Sequence, residues 1–175
     1  YAKGGRWVAG IKPIAAGMED IGDEHINEDV HALRAASPLP LTAQEIGPFQ
    51  FEAACSPHIA AALEGRPIRR DAVLAAVNAV ATKTDLLIVE GVGGFRVPFG
   101  GDWDSADLAC DLGLPVVLVV GLRLGCINHA LLTAEAIRAR GLELCGWVAN
   151  TVDPKQAYVA ENLDALAQGL GSAPC

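Results

Sequence analysis

Short apolar runs alternate with amphipathic stretches along most of this chain, and the two patterns predict different elements. The run RWVAGIKP reads as a strand that Pro13 ends. Residues 71–83 (DAVLAAVNAVATK) place Val73, Leu74, Val77 and Val80 on one helical stripe. LLIVEG then reads as a strand apolar on both faces. SADLACDLG reads as a short helix that Asp104 or Ser105 can cap and Gly113 can stop. PVVLVVG is a second doubly buried strand. Residues 128–141 read as a helix that also ends on glycine, LCGWVAN as a third strand, and PKQAYVAENLDALAQGL as a final helix.

Strands apolar on both faces leave neither face to water, so their alternation with helices predicts an α/β fold. The expected form is a mostly parallel sheet covered by helices on both faces, in three α/β/α layers. No internal repeat or long linker divides the chain, and residues 1–175 are expected to form a single α/β domain. In such sheets ligands bind beyond the carboxyl ends of the strands. That rule singles out Lys12, Glu90 and Asn150, each directly after an apolar run, with Gly121 opening the loop before another helix.

Composition narrows what this fold could serve. Hydrophobic residues make up 51% of the chain and the net charge is -8. The one basic cluster, RPIRR at 66–70, reads as a solvated approach to a helix, so no surface is equipped to displace counterions from phosphates. Nucleic acid is therefore not an expected partner. No apolar run approaches the roughly 18 residues of a membrane span, and no membrane association is expected. The start, YAKGGRWVAG, lacks the apolar core and cleavage site of a signal peptide, and it reads as the end of a helix with further chain upstream. Cys55, Cys110, Cys126, Cys145 and Cys175 are scattered and lack CxxC spacing, which supports neither a disulfide framework nor a zinc site. A cytoplasmic location follows.

The chemistry concentrates in a few segments. Glu90, in VEGVGG, is a carboxylate ending a buried strand, which must be paired, hydrogen-bonded or metal-bound. Gly91, Gly93 and Gly94 let a phosphate or metal approach the backbone and allow positive φ. The dinucleotide fingerprint G-x-G-x-x-G fails here, because Arg96 stands at the third glycine. The alternative for this segment is a plain turn with a surface glutamate.

Lys12 is either an exposed lysine or, aimed by Pro13, a contact for an anion at the sheet edge. Glu28 and Asp29, just before a helix, are either dipole-favoured charges or, for Asp29 with Glu90, a pair of hard oxygen ligands suited to Mg²⁺. The loop GLRLGCINHA feeds a helix start that could bind a carboxylate or phosphate, or be capped ordinarily by Asn128. Ser56–Pro57 opens a helix, His58 is a catalytic candidate without a visible partner, and His129 reads as packing.

In their order along the chain, the segments KPIAAG, NEDVHAL, CSPHIAAALEGRPI, VEGVGGFRVPF, LRLGCINHALLTAEAIRARGL and GWVANTVDP resemble dethiobiotin synthetase. The resemblance runs from about Trp7 to about Asp153, and GCINH and SPH are its most specific parts. It implies a P-loop NTPase-like fold and a ligase of biotin biosynthesis. That enzyme uses Mg²⁺ and ATP to convert 7,8-diaminononanoate and CO₂ into dethiobiotin, ADP and phosphate, as a homodimer. By resemblance, Lys12 is the catalytic lysine that contacts the carbamate and the developing phosphoryl charge. Asp29 and Glu90 match the magnesium carboxylates, and Gly91, Val92 and Gly93 lie beside the nucleotide. Asn150 and Thr151 match the segment near adenine. Leu124, Gly125, Cys126, Ile127 and Asn128 match the helix start that binds the substrate carboxylate across the dimer interface. Ala16 stands where many members contact the substrate through a hydroxyl.

The family's phosphate loop, G-x-x-x-x-G-K-[ST], belongs upstream of the first strand and does not occur in these residues, nor does the final strand and its adenine loop. The sequence therefore reads as part of a longer enzyme, truncated at both ends and expected by itself to bind ATP poorly. A noncatalytic remnant is one alternative. A regulatory P-loop ATPase of the partitioning type is another, though the SPH and GCIN runs would not be expected in it.

Overall fold

The computed structural model describes residues 5–175, which fall into one unit running to Leu108 and a second from Ala109 to Cys175. The first unit begins with β1 (Val8–Ile11), β2 (Ile14–Ala16), β3 (Met18–Ile21) and β4 (Glu24–Asn27), followed by α1 (Glu28–Ala36) and α2 (Ala43–Ile46). Next come β5 (Phe49–Phe51), α3 (Pro57–Leu63), α4 (Arg70–Ala81) and β6 (Leu86–Val89). The strands β7 (Pro98–Gly100) and β8 (Trp103–Asp104) lead into α5 (Ser105–Leu112), which crosses the boundary between the units.

β1 and β6 pair in parallel, Val8 against Leu86 through Ile11 against Val89. Their carboxyl ends are therefore adjacent, and the Glu90 N–H donates to Ile11 O at 2.8 Å. Pro13 ends β1, as its position suggested, and also marks a change of partner. Without an N–H it cannot continue a ladder, and beyond it β2 pairs in parallel with β5. The Lys12 backbone at the switch donates to Ile46 O at 2.9 Å.

β3 and β4 form an antiparallel hairpin turning at Gly22–Asp23, with Gly22 at φ 64°. Helix α1 packs on β1 closely enough that a Cβ on Gly10 would lie 2.5 Å from Leu33 Cδ2. The stripe read from 71–83 is real: Val73, Val77 and Val80 of α4 are buried, each contributing about 1.5–3 kcal/mol by leaving water.

The second unit holds β9 (Val116–Leu122), α6 (Cys126–Ala139), β10 (Leu144–Thr151) and α7 (Val159–Leu170). β9 and β10 pair in parallel, with a register shift between Leu144 and Gly146. α6 packs on both strands and α7 on α6, enclosing Val120, Leu122, Cys126, Ala130, Trp147, Leu166 and Leu170. The Trp147 indole N–H donates to Ser172 O at 2.9 Å, satisfying its one polar atom.

The architecture is α/β with parallel strands between helices, as expected, but the strands read as doubly buried are not uniformly so. Ile88 of β6 is 56% exposed and Val119 of β9 is 61% exposed. Among the described residues each strand has a neighbour on one edge only, so part of its apolar surface stays uncovered. Two helices start elsewhere than expected. α6 begins at Cys126, because Gly125 adopts the left-handed conformation (φ 92°) and turns the chain in two residues early. α7 begins at Val159, after Tyr158 in the left-handed region, so residues 154–157 are not helical. Among the described residues no helix is long and apolar enough to cross a membrane.

Candidate active site

Lys12, Asp29 and Glu90 converge in the first unit. Lys12 Nζ lies 2.7 Å from Asp29 Oδ2 and 2.7 Å from Glu90 Oε1, and donates to Gly91 O at 3.2 Å. Lys12 is buried, whereas both carboxylates are about half exposed. Burial alone would push the ammonium's pKa down, but the hydrogen bonds it donates to Asp29 and Glu90, with their charges, outweigh it and hold the pKa above its usual value. Lys12 is thus a fixed cation held by its own side-chain contacts, not an exposed lysine.

Asp29 owes its place to Asn27. Glu28 and Asp29 are not ahead of α1 but inside its first turn. Asn27 is the N-cap, and its side-chain oxygen accepts the N–H groups of Asp29 at 3.1 Å and Val30 at 3.4 Å. The same side chain, nearly buried, donates to Gly17 O at 2.8 Å, just past Ala16 at the end of β2. Sequence reading passed over Asn27 in favour of the acids behind it, although Asn one residue before a helical pattern is a start signal.

The glycines after Glu90 have separate tasks. Of Gly91, Gly93 and Gly94, only Gly93 needs positive φ (68°). A Cβ on Gly91 or Gly94 would meet nothing within 4 Å, so the backbone there borders open space. That openness, with two half-exposed carboxylates at its edge and no His or Cys among them, suits a hard cation and phosphate oxygens. Among the described residues no three His, Cys, Asp or Glu side chains form a complete metal centre. Mg²⁺ asks for only one or two carboxylates, so Asp29 and Glu90 fit it.

In the second unit the paired strand ends bring Asn150 opposite Gly121 and Thr151 opposite Leu122. The loop then leads to the start of α6, where Leu124 is 99% exposed and no side chain caps the helix. Asn128 is inside the first turn rather than at the cap, and the Cys126 side chain is in the core while its N–H donates to Arg123 O at 3.0 Å. Asn150, Thr151 and Asn128 are exposed. These residues and the Lys12 cluster belong to different units.

Two histidine readings change. His58 has a partner, since its Nδ1 lies 2.9 Å from Ser56 Oγ, and Ser56 makes no cap hydrogen bond. His129 is exposed rather than packed. A cavity of about 370 Å³ lined by Cys110, Leu114, Pro115, Arg140 and Glu143 lies at the amino ends of β9 and β10, away from Gly121 and Asn150. It contains none of the candidate residues.

Comparison with known proteins bears on the whole chain. A family model described as an AAA domain matches residues 5–171. The chain is 53% identical over 166 residues to the ATP-dependent dethiobiotin synthetase BioD of Aromatoleum aromaticum, an alignment covering 95% of this chain and 74% of that protein.

Proposed function

The chain belongs to the family of ATP-dependent dethiobiotin synthetases, P-loop ligases of biotin biosynthesis, and we propose that Lys12, Asp29 and Glu90 carry its chemistry. The observation that supports this reading most directly is the convergence of the buried Lys12 ammonium with Glu90, at adjacent strand ends, and with Asp29, in the first turn of α1. Similarity across 95% of the chain favours a synthetase over a partitioning ATPase.

The substrates are 7,8-diaminononanoate, CO₂ and ATP. One amine of the substrate adds to CO₂ and loses a proton, giving a carbamate. A carbamate oxygen takes the γ-phosphoryl group and ADP leaves. The second amine then attacks the carbamate carbon, releasing phosphate and closing the ring. Negative charge develops on the carbamate and on the transferring phosphoryl group. A cation held in place before the reaction stabilises that charge without reorganisation, and Lys12 supplies it.

Asp29 and Glu90 would hold Mg²⁺, which when bound neutralises phosphate charge. Gly91, Val92 and Gly93 border the nucleotide, with open space beside Gly91. In the second unit, Asn150 and Thr151 serve adenine. The α6 start, from Leu124 to Asn128, offers unsatisfied N–H groups to the substrate carboxylate of the partner copy in a homodimer. Ala16 contacts substrate without a hydroxyl. The enzyme acts in the cytoplasm, with neither nucleic acid nor membrane as partner.

Replacing Lys12 with Ala tests the assignment. In the complete enzyme, turnover of diaminononanoate with CO₂ and Mg-ATP should fall by about a hundredfold or more, the scale lost with one key electrostatic group. Near-normal turnover would refute the role.

A further inference from the structure

The segment between β6 and β7 has an unusual mechanical problem. It carries Glu90 and three glycines, of which Gly91 and Gly94 have no side chain and no neighbour within 4 Å of where one would point. Packing cannot hold such a segment in one shape, and glycine has the most conformational freedom to lose. Hydrogen bonds must do it. At the front, Lys12 Nζ donates to Gly91 O at 3.2 Å. At the back, Ser105, the first residue of α5, engages the carbonyls of Gly94, Phe95 and Val97 and the amide of Val97.

The Ser105 hydroxyl accepts the Val97 N–H at 2.8 Å and donates to Phe95 O at 2.7 Å, with Gly94 O within reach of the same hydrogen at 3.2 Å. The Ser105 N–H donates to Val97 O at 2.9 Å. None of this is needed to start the helix. Asp104 Oδ1 accepts the Asp107 N–H at 2.9 Å, and Asp107 Oδ2 accepts the Asp104 N–H at 3.0 Å, a reciprocal cap that leaves the serine hydroxyl free for the loop.

We infer that Ser105 is a positioning residue for nucleotide binding, acting through the backbone of residues 94–97 on the glycine segment that faces the phosphates. The inference rests on the nucleotide role proposed above for Gly91–Gly93. Removing the hydroxyl leaves the Val97 N–H and Phe95 O without their partner and lets the loop sample other shapes. Apparent nucleotide affinity then drops by the fraction of time the competent shape is lost.

The test compares Ser105→Ala with Ser105→Thr in the complete enzyme, reading KM for Mg-ATP, KM for diaminononanoate, kcat and amide hydrogen exchange at Val97. Ser105→Ala should raise the Mg-ATP KM about tenfold and speed exchange at Val97, with kcat and the diaminononanoate KM within about twofold. Ser105→Thr, which keeps the hydroxyl, should restore all of these. Unchanged exchange and unchanged KM in Ser105→Ala would overturn the role of Ser105, as would a Thr variant that behaves like Ala. Faster exchange with an unchanged Mg-ATP KM would instead overturn the nucleotide reading beneath it. If Ser105→Ala does not fold, Ser105→Cys, with its weaker hydrogen bonding, carries the same readouts.

Discussion

The side-chain oxygen of Asn27 accepts the backbone N–H of Asp29 at 3.1 Å, so the residue that starts α1 also fixes the turn on which Asp29 stands. Through its amide nitrogen, Asn27 ties that turn to Gly17 O. One nearly buried side chain thus joins the end of β2 to the acidic partner of Lys12. Asn27→Ala should destabilise the fold by about 1–2 kcal/mol, the range for loss of an N-cap. Urea unfolding checks this; an unchanged midpoint would mean that water replaces both bonds at no cost.

Glu90→Gln keeps the shape of the side chain and removes its charge. The Mg²⁺ concentration for half-maximal activity should rise roughly tenfold, because a hard cation loses one of two anionic ligands. Magnesium titration at saturating ATP measures it. If the requirement stays put, Glu90 serves Lys12 alone.

His25, on β4, lies between two carboxylates, with Nδ1 2.7 Å from Asp20 Oδ1 and Nε2 2.8 Å from Glu52 Oε2. The hydrogen bond to Glu52, then that to Asp20, raises its pKa above the usual 6.5. Because the folded value is the higher one, the stabilisation is fully present below the unfolded pKa. It is lost as pH rises through the folded value. Wild type should therefore exceed His25→Gln in stability at about pH 6 and lose that margin at alkaline pH, above the raised folded pKa. Denaturant midpoints at both pH values decide it, and a margin that grows with pH would contradict the pairing. The group is exposed, so the effect should be small.

Leu166 of α7 is fully buried against the α6 and β10 side chains. Leu166→Ala should cost about 2–5 kcal/mol, depending on how far the cavity collapses. Thermal unfolding followed by circular dichroism would show it, and a loss under 1 kcal/mol would mean the site repacks.

What the sequence revealed and what it hid follow from the range of each interaction. β6, β9, β10 and α4 were legible because their apolar periodicity is local. Lys12 and Glu90 were legible together because strand ends in parallel sheets converge, whereas Asp29, on α1, was joined to them by its carboxylate chemistry and by family resemblance. The hairpin at Gly22–Asp23 had a usable turn signal that went unread among the charged residues around it. The α6 start moved because glycine adopts a left-handed cap that no side-chain pattern announces. The Ser105 bonds span eight to eleven residues to bare backbone, which leaves no trace in residue types. The exposure of Ile88 and Val119 was hidden for another reason: an apolar run records what a face prefers, not what lies against it.

Trp147 has an optical consequence. The chain has three tryptophans, and Trp7 and Trp103 both fall in the first unit, leaving Trp147 as the one indole of the second. Buried and bonded to Ser172 O, it should emit at short wavelength, while Trp7, 53% exposed, emits at longer wavelength. A protein with Trp7 and Trp103 replaced by Phe would report the melting of β9, β10, α6 and α7 alone, in a single colour and without an added dye.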